Sequence, residues 1–214
     1  MWTQKRGGIA IAMPPESFEK IFYSCYNSLM KTALLASFEK DAALLRLGKM
    51  LTGAGWSLMG SAGTAKYLND NDVICRDVAE IVGAPILGHR VVTLSRELHA
   101  GLLSTDADAA ELEKLGVPRI DLVYVTLYPL EKVIADGGSA AEVIEKTDIG
   151  GPTLLRAAAK GGRIVLSSPT QLEEFETKLA NGTFDEKYRI SLAAAAERRV
   201  ADYVSTSASY WEQE

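Results

Sequence analysis

Histidine and cysteine are scarce in this chain, two of each among 214 residues, and the scarcity removes several chemistries at once. Cys25 and Cys75 have neither Cys-x-x-Cys spacing nor a neighbouring histidine, so neither a zinc site nor a disulfide framework is expected, and a reducing, cytoplasmic setting is. His89 and His99 have no acidic partner at ligand spacing, and neither belongs to a Ser-His-Asp arrangement or a nucleophile elbow. Positive charge is not in excess either. With 23 Lys and Arg against 28 Asp and Glu, a formal net charge of −5, and no basic block, nucleic acid is not an expected partner. The apolar run GGIAIAM near the start is short, is broken by Pro14, Pro15 and Glu16, and carries no cleavage site. No run reaches the length needed to cross a membrane, so no membrane partner is expected. An anionic ligand would have to be met by a local constellation.

What is present is a core. At 47% hydrophobic and 24% charged, the chain reads as one globular domain over residues 31–214, preceded by an extension over 1–30. Within that extension PESFEKIFYSCYNSLMK reads as a helix packing on the domain or on a neighbour. From Lys31 onward short apolar runs alternate with amphipathic stretches, the pattern of an α/β fold with a parallel sheet flanked by helices. TALLAS, WSLMG, DLVYVTLYPL and RIVLSS read as strands, and VICRDVAEIVG as a strand running into a loop or short helix. EKDAALLRLGKMLTGAG, TAKYLNDND, SAAEVIEKT, GPTLLRAAAK, TQLEEFETKLANG and the long tail from Lys187 read as helices. RVVTLSRELHAGLLS is mixed.

Three places carry polar chemistry. In MGSAGTAKYL a strand ends in the small-residue turn Gly60–Gly63 and Thr64 opens a helix. Backbone N–H groups, the hydroxyls of Ser61 and Thr64 and the helix dipole could hold a phosphate there, although a plain tight turn and N-cap explain the same residues. ASFEKDA places Ser37 and Lys40 at a second strand end, and in a parallel sheet both ends face one crevice. In DIGGPTLLRAAAK, Gly150 and Gly151 permit backbone geometry closed to other residues, Pro152 suits the first helical position, and the exposed amides could bind an oxyanion beside Asp148. Arg156 and Lys160 are four apart on one helix face, which could serve a site or merely complement the helix C-terminus. Tyr128 ends the strongest strand, as a cleft residue or as packing.

Taken together and in order, GSAGTA, HRVVTLSRELHAGLL, DLVYVTLYPL and DIGGPTLLRAAAK resemble the inosine monophosphate cyclohydrolase domain. That domain is usually the N-terminal half of a bifunctional purine-biosynthesis enzyme whose other half is a formyltransferase. The resemblance runs from about Lys31 to the C-terminus and implies a methylglyoxal-synthase-like three-layer fold. It also implies closure of 5-formamidoimidazole-4-carboxamide ribonucleotide to inosine monophosphate with loss of water, without metal or organic cofactor. On this reading Lys40, Ser61, Gly63 and Thr64 hold the phosphate, and Arg90, Thr93, Gly150 and Gly151 complete the binding site for this purine-precursor nucleotide. Asp148, Lys160 and Tyr128 are the catalytic residues, and a homodimer through the apolar tail helix is implied.

The sequence departs from the family where RVKTLHP becomes RVVTLSR: the lysine implicated in catalysis is Val92, and His-Pro becomes Ser95-Arg96. SVSDKTG becomes ASFEKDA, keeping Lys40, and the asparagine of NLYP is Thr126. A second reading therefore stands beside the enzyme: a non-catalytic nucleotide-binding subunit that partners a separate formyltransferase. A methylglyoxal-synthase-like lyase is disfavoured by DIGGPT.

Overall fold

The computed structural model describes residues 30–88 and 90–213; the helix expected within 1–30 and the residue His89 lie outside these. Strand β1 (Thr32–Ser37) is an apolar run with Ala33, Leu34 and Leu35 fully buried, as a central strand covered on both faces must be. Helix α1 (Ala42–Gly53) starts where the Asp41 carboxylate accepts the Leu44 N–H at 2.9 Å, and it buries Leu44, Leu47 and Leu51 at helical spacing. Strand β2 (Ser57–Gly60) follows, with Trp56 buried just ahead of it rather than within it, then α2 (Ala62–Asn69).

Strand β3 is only Arg76–Asp77 and leads into the short α3 (Ala79–Val82). The mixed stretch resolves into a loop and α4 (Arg96–Leu103), opened by the Ser95 hydroxyl accepting the Leu98 N–H at 3.1 Å. Then come α5 (Ala109–Leu115), closed by Gly116 in the left-handed region (φ 66), and β4 (Leu122–Thr126). Helices α6 (Leu130–Ala135), α7 (Ala140–Glu145) and α8 (Gly150–Lys160) precede β5 (Ile164–Leu166). The chain finishes with α9 (Leu172–Asn181) and the 26-residue α10 (Glu186–Trp211), whose Tyr188, Leu192, Ala196, Val200 and Tyr203 are buried.

The five strands are parallel throughout, in the order β3-β2-β1-β4-β5. Because parallel crossovers are right-handed, α1 and α2 cover one face and α8 the other, giving three layers. The order runs outward from β1 in both directions, so the connections leaving β1 and β4 part to opposite sides and open a crevice at the carboxyl ends of these two strands. Around this frame Arg163, 3% exposed, donates to the carbonyls of Leu102 (2.7 Å) and Ser104 and ties the end of α4 to β5. Helices α5 and α6 were not anticipated from the sequence, and β4 stops at Thr126, so Tyr128 stands in the loop beyond the strand.

Candidate functional site

The crevice is built from the ends of β1, β2 and β4, and hydroxyl groups lace them together. The Thr126 hydroxyl accepts the Phe38 N–H at 2.8 Å and pairs with Ser37 Oγ at 2.7 Å, so the β1 and β4 ends hold each other. On the other side Thr64 Oγ1 accepts the Ser37 N–H (3.1 Å) and the Ser61 hydroxyl (3.0 Å) and donates to the Ser37 carbonyl (3.3 Å). Thr64 is fully buried. This corrects its expected part: its hydroxyl joins two strand ends and does not face an anion.

What faces outward is the start of α2, where Ala62 and Gly63 are exposed and Ser61 makes no side-chain bond to the helix amides. Lys40 comes from the β1 loop to the same place. A Cβ on Gly63 would lie 3.4 Å from its Cε, and its ammonium donates to the Ser37 carbonyl and to the Phe38 carbonyl at 3.1 Å. Partial burial of that ammonium lowers its pKa from the usual lysine range, even though the residue as a whole is exposed. The helix start and the lysine thus converge, and Ser61, Gly63 and Lys40 stand together on the open side of the turn.

Across the crevice the start of α8 carries Asp148. Its Oδ1 accepts the Gly151 N–H at 2.9 Å, and the N–H groups of Tyr128 and Gly150 also stabilise its ionised form, yet burial dominates and raises its pKa. The amides expected to receive a substrate oxyanion are therefore engaged by Asp148. A carboxylate offers about four acceptor positions, so about one remains for a ligand. The glycine pair answers a different need from the one the sequence suggested. Neither Gly150 nor Gly151 has positive φ; a Cβ on Gly150 would lie 2.5 Å from Thr93 Oγ1, and one on Gly151 2.4 Å from Asp148 Oδ2. Close approach, not backbone freedom, calls for glycine, and it brings Thr93 into the site. Pro152 is the third helical residue rather than the first.

Tyr128 packs its ring against Phe38 with centroids 5.1 Å apart, and burial, with Asp148 and Glu145 nearby, raises its pKa and keeps the phenol neutral. The Lys146 ammonium stands 5.8 Å from the Tyr128 centroid and 6.0 Å from that of Phe38. Tyr203 of α10 locks this segment, accepting the Asp148 N–H at 2.8 Å and donating to the Lys146 carbonyl at 2.9 Å.

Several expected members stand elsewhere. Lys160 is the last residue of α8 and exposed; at 1.5 Å per residue it lies about 15 Å along the axis from Gly150. The structure separates it from Asp148, correcting the expected pair. Arg156 turns to α10, where it meets Glu197 at 3.1 Å. Arg90 is exposed on the loop before Thr93. Val92 packs against the core and borders a cavity of about 280 Å³ shared with Val82, Ile86, Leu94 and Arg96. Sequence reasoning missed Lys146, Phe38 and Tyr203, and none of them carries a signal in its own stretch of chain.

Comparison with known proteins agrees with this architecture. Residues 43–153 match the family model of the MGS-like domain. The chain is 38% identical to the bifunctional purine biosynthesis protein PurH of Roseobacter denitrificans, a match covering 85% of this chain and 36% of that protein. It is 37% identical to PurH of Aquifex aeolicus, covering 80% and 35%. This chain therefore spans about a third of the length of these curated relatives. The crystal structure of ForH superposes with a TM-score of 0.70 at 31% identity, covering 84% of this chain and 97% of that one. With the three-layer parallel sheet and most of the chain matched in this way, the protein belongs to the MGS-like domain family and is a homologue of PurH.

Proposed function

We propose that this domain binds a purine-precursor nucleotide and catalyses the cyclohydrolase step, closing 5-formamidoimidazole-4-carboxamide ribonucleotide to inosine monophosphate. The observation that carries the reading is the meeting of two half-sites at the crevice between β1 and β4: an anion-facing turn with Lys40, and the Tyr128–Asp148 corner. Homology to the purine-biosynthesis protein PurH supports the pathway assignment.

On this reading the 5′-phosphate meets Lys40, Ser61 and the amides at Gly63, with Thr64 holding that turn in place. The base lies toward Tyr128, Thr93 and Asp148. The carboxamide nitrogen adds to the formyl carbon, a C–N bond forms, and the carbonyl electron pair moves to the formyl oxygen, which takes the proton that the nitrogen loses. The resulting hydroxyl then leaves with the formamido N–H proton as water, and the ring becomes aromatic. Asp148, fixed by three backbone amides, accepts the formamido N–H and orients the formyl group for attack. No metal or organic cofactor enters these steps. A homodimer and a cytoplasmic setting complete the proposal.

The test is direct: inosine monophosphate formation from the formylated precursor is followed with the purified chain while nucleotide binding is measured by calorimetry. Product formed above the uncatalysed rate supports the enzyme. Binding without product favours the second reading, a nucleotide-binding subunit partnering a formyltransferase, for which Val92, packed against the core, is the specific observation.

A further inference from the structure

The pocket at Tyr128 holds one cation that no motif announces. Among the described cations that flank the crevice, Lys40 is turned onto the carbonyls of Ser37 and Phe38, Arg156 is paired with Glu197, and Lys160 stands at the far end of α8. Lys146 differs from all of them. Its ammonium lies over the paired Phe38 and Tyr128 rings, at 6.0 and 5.8 Å from their centroids, and forms no ion pair with a described carboxylate. Its backbone is anchored from both sides, since the Lys146 N–H caps α7 through the Glu142 carbonyl and its own carbonyl accepts from Tyr203. The same Tyr203 hydroxyl accepts the Asp148 N–H, so the backbone carrying the cation and the backbone carrying the carboxylate are tied to one atom. A charge placed beside aromatic faces and partly out of water is poised to meet negative charge on a planar ligand between those rings and Asp148.

We propose that Lys146 is the cation of the ring-closing pocket, facing the six-membered ring as it forms and stabilising negative charge there. The inference rests on the cyclohydrolase reading for its chemistry: as the carboxamide nitrogen adds to the formyl carbon, the electron pair displaced onto the formyl oxygen develops beside the Lys146 ammonium. The oxygen then takes the nitrogen's proton and departs as water, and Lys146 keeps its own protons throughout. Asp148 orients the formamido N–H on one side while Lys146 meets the oxygen on the other.

Two readouts test it separately. In turnover, Lys146→Met lowers kcat by about 10²-fold with little change in KM, Lys146→Arg restores part of the loss, and the exposed Lys114→Met leaves kcat within about twofold. In binding, inosine monophosphate is titrated with alkali while its ultraviolet spectrum reports ionisation of the base. The bound base ionises at a lower pH than the free nucleotide, by about one pH unit, in the unmodified chain and not in Lys146→Met. Unchanged base ionisation between these two proteins overturns the proposal whatever the turnover. A Lys146-dependent shift in a chain that forms no product overturns the cyclohydrolase reading and leaves Lys146 as the pocket's cation. Failure of the folded chain to bind the nucleotide at all overturns both.

Discussion

Gly151→Ala is the sharpest probe of how the site is held. A methyl group at this position would lie 2.4 Å from Asp148 Oδ2 and 2.7 Å from Leu127 Cδ2, where ordinary contact begins near 3.4 Å. The carboxylate must therefore retreat by about 1 Å, which breaks the 2.9 Å bond from the Gly151 N–H to Oδ1. A hydrogen bond to a charged group contributes about 1.5–3 kcal/mol, and forcing a methyl into a filled space costs about 1–3 kcal/mol. Alanine's better helical propensity returns about 0.5–1 kcal/mol. The net loss is about 3 kcal/mol, a fall in Tm of roughly 6–12 °C for a domain of this size. Gly53→Ala is the matched control, since nothing lies within 4 Å of its Cβ position and its φ is not positive; it should melt at or slightly above the unmodified chain. Circular dichroism melts and urea titrations of both variants decide the matter. If Gly151→Ala melts within a degree of the parent, Asp148 is not clamped at the start of α8.

The remaining expectations concern the strand ends, the acid and the buried thiol. Thr126→Val removes the acceptor of the Phe38 N–H and the partner of the Ser37 hydroxyl, so urea titration should show a loss of about 1–3 kcal/mol, with weaker nucleotide binding as the Lys40 loop loosens. Because burial raises the pKa of Asp148 above the usual carboxylate range, turnover should decline as pH falls through that raised value. Asp148→Asn should lose about 10²-fold in kcat together with that acid limb, and a pH profile with an unaltered limb would assign it to another group. Cys75 is buried beside Asp77 with its thiol pushed up to about 12, whereas an unfolded thiol titrates near 8.5. The native thiol thus holds a proton that the unfolded chain releases, so stability should drop with rising pH between those values, by at most about 2 kcal/mol at pH 10, and Cys75→Val should remove that part.

Where the sequence was informative, the reason is burial that covers whole segments. The runs forming β1 and β4 are covered on both faces, so nearly every position is apolar, and α1 and α10 bury one stripe each, so their spacing betrays them. The short α5 and α6 had no such signature, while β3 and α3 were legible only as a strand running into a loop or short helix. A helix of a turn or two buries one or two side chains, as α5 does with Leu112 and α6 with Leu130, and periodicity needs more repeats than that.

The site was legible in its parts and not in its assembly. The turn at Ser61–Thr64, Lys40, Tyr128 and Asp148, all singled out in the sequence, stand around the crevice. The family resemblance grouped Lys160 with Asp148, but the rise of α8 carries Lys160 to the other end of the helix. Spacing within the motif carried no sign of that distance. Gly150 and Gly151 read as conformational devices, whereas the space they leave is filled by Thr93 and the Asp148 carboxylate. Lys146 is the converse case. In the sequence it is one more charge at the end of an amphipathic helix, and only the parallel order β1-β4 brings the Phe38 and Tyr128 loops side by side beneath it. A chain whose motif position holds Val92 thus keeps a positive charge at the Tyr128–Asp148 corner, supplied by a different segment. Restoring the motif lysine tests whether that charge suffices. Val92 lies against the core beside the cavity bordered by Val82 and Ile86, so Val92→Lys should raise turnover severalfold only if a lysine there can leave the apolar wall and reach the same corner. Unchanged turnover in a folded Val92→Lys protein, with Lys146→Met still impaired, would mean that the pocket's electrostatics are already complete.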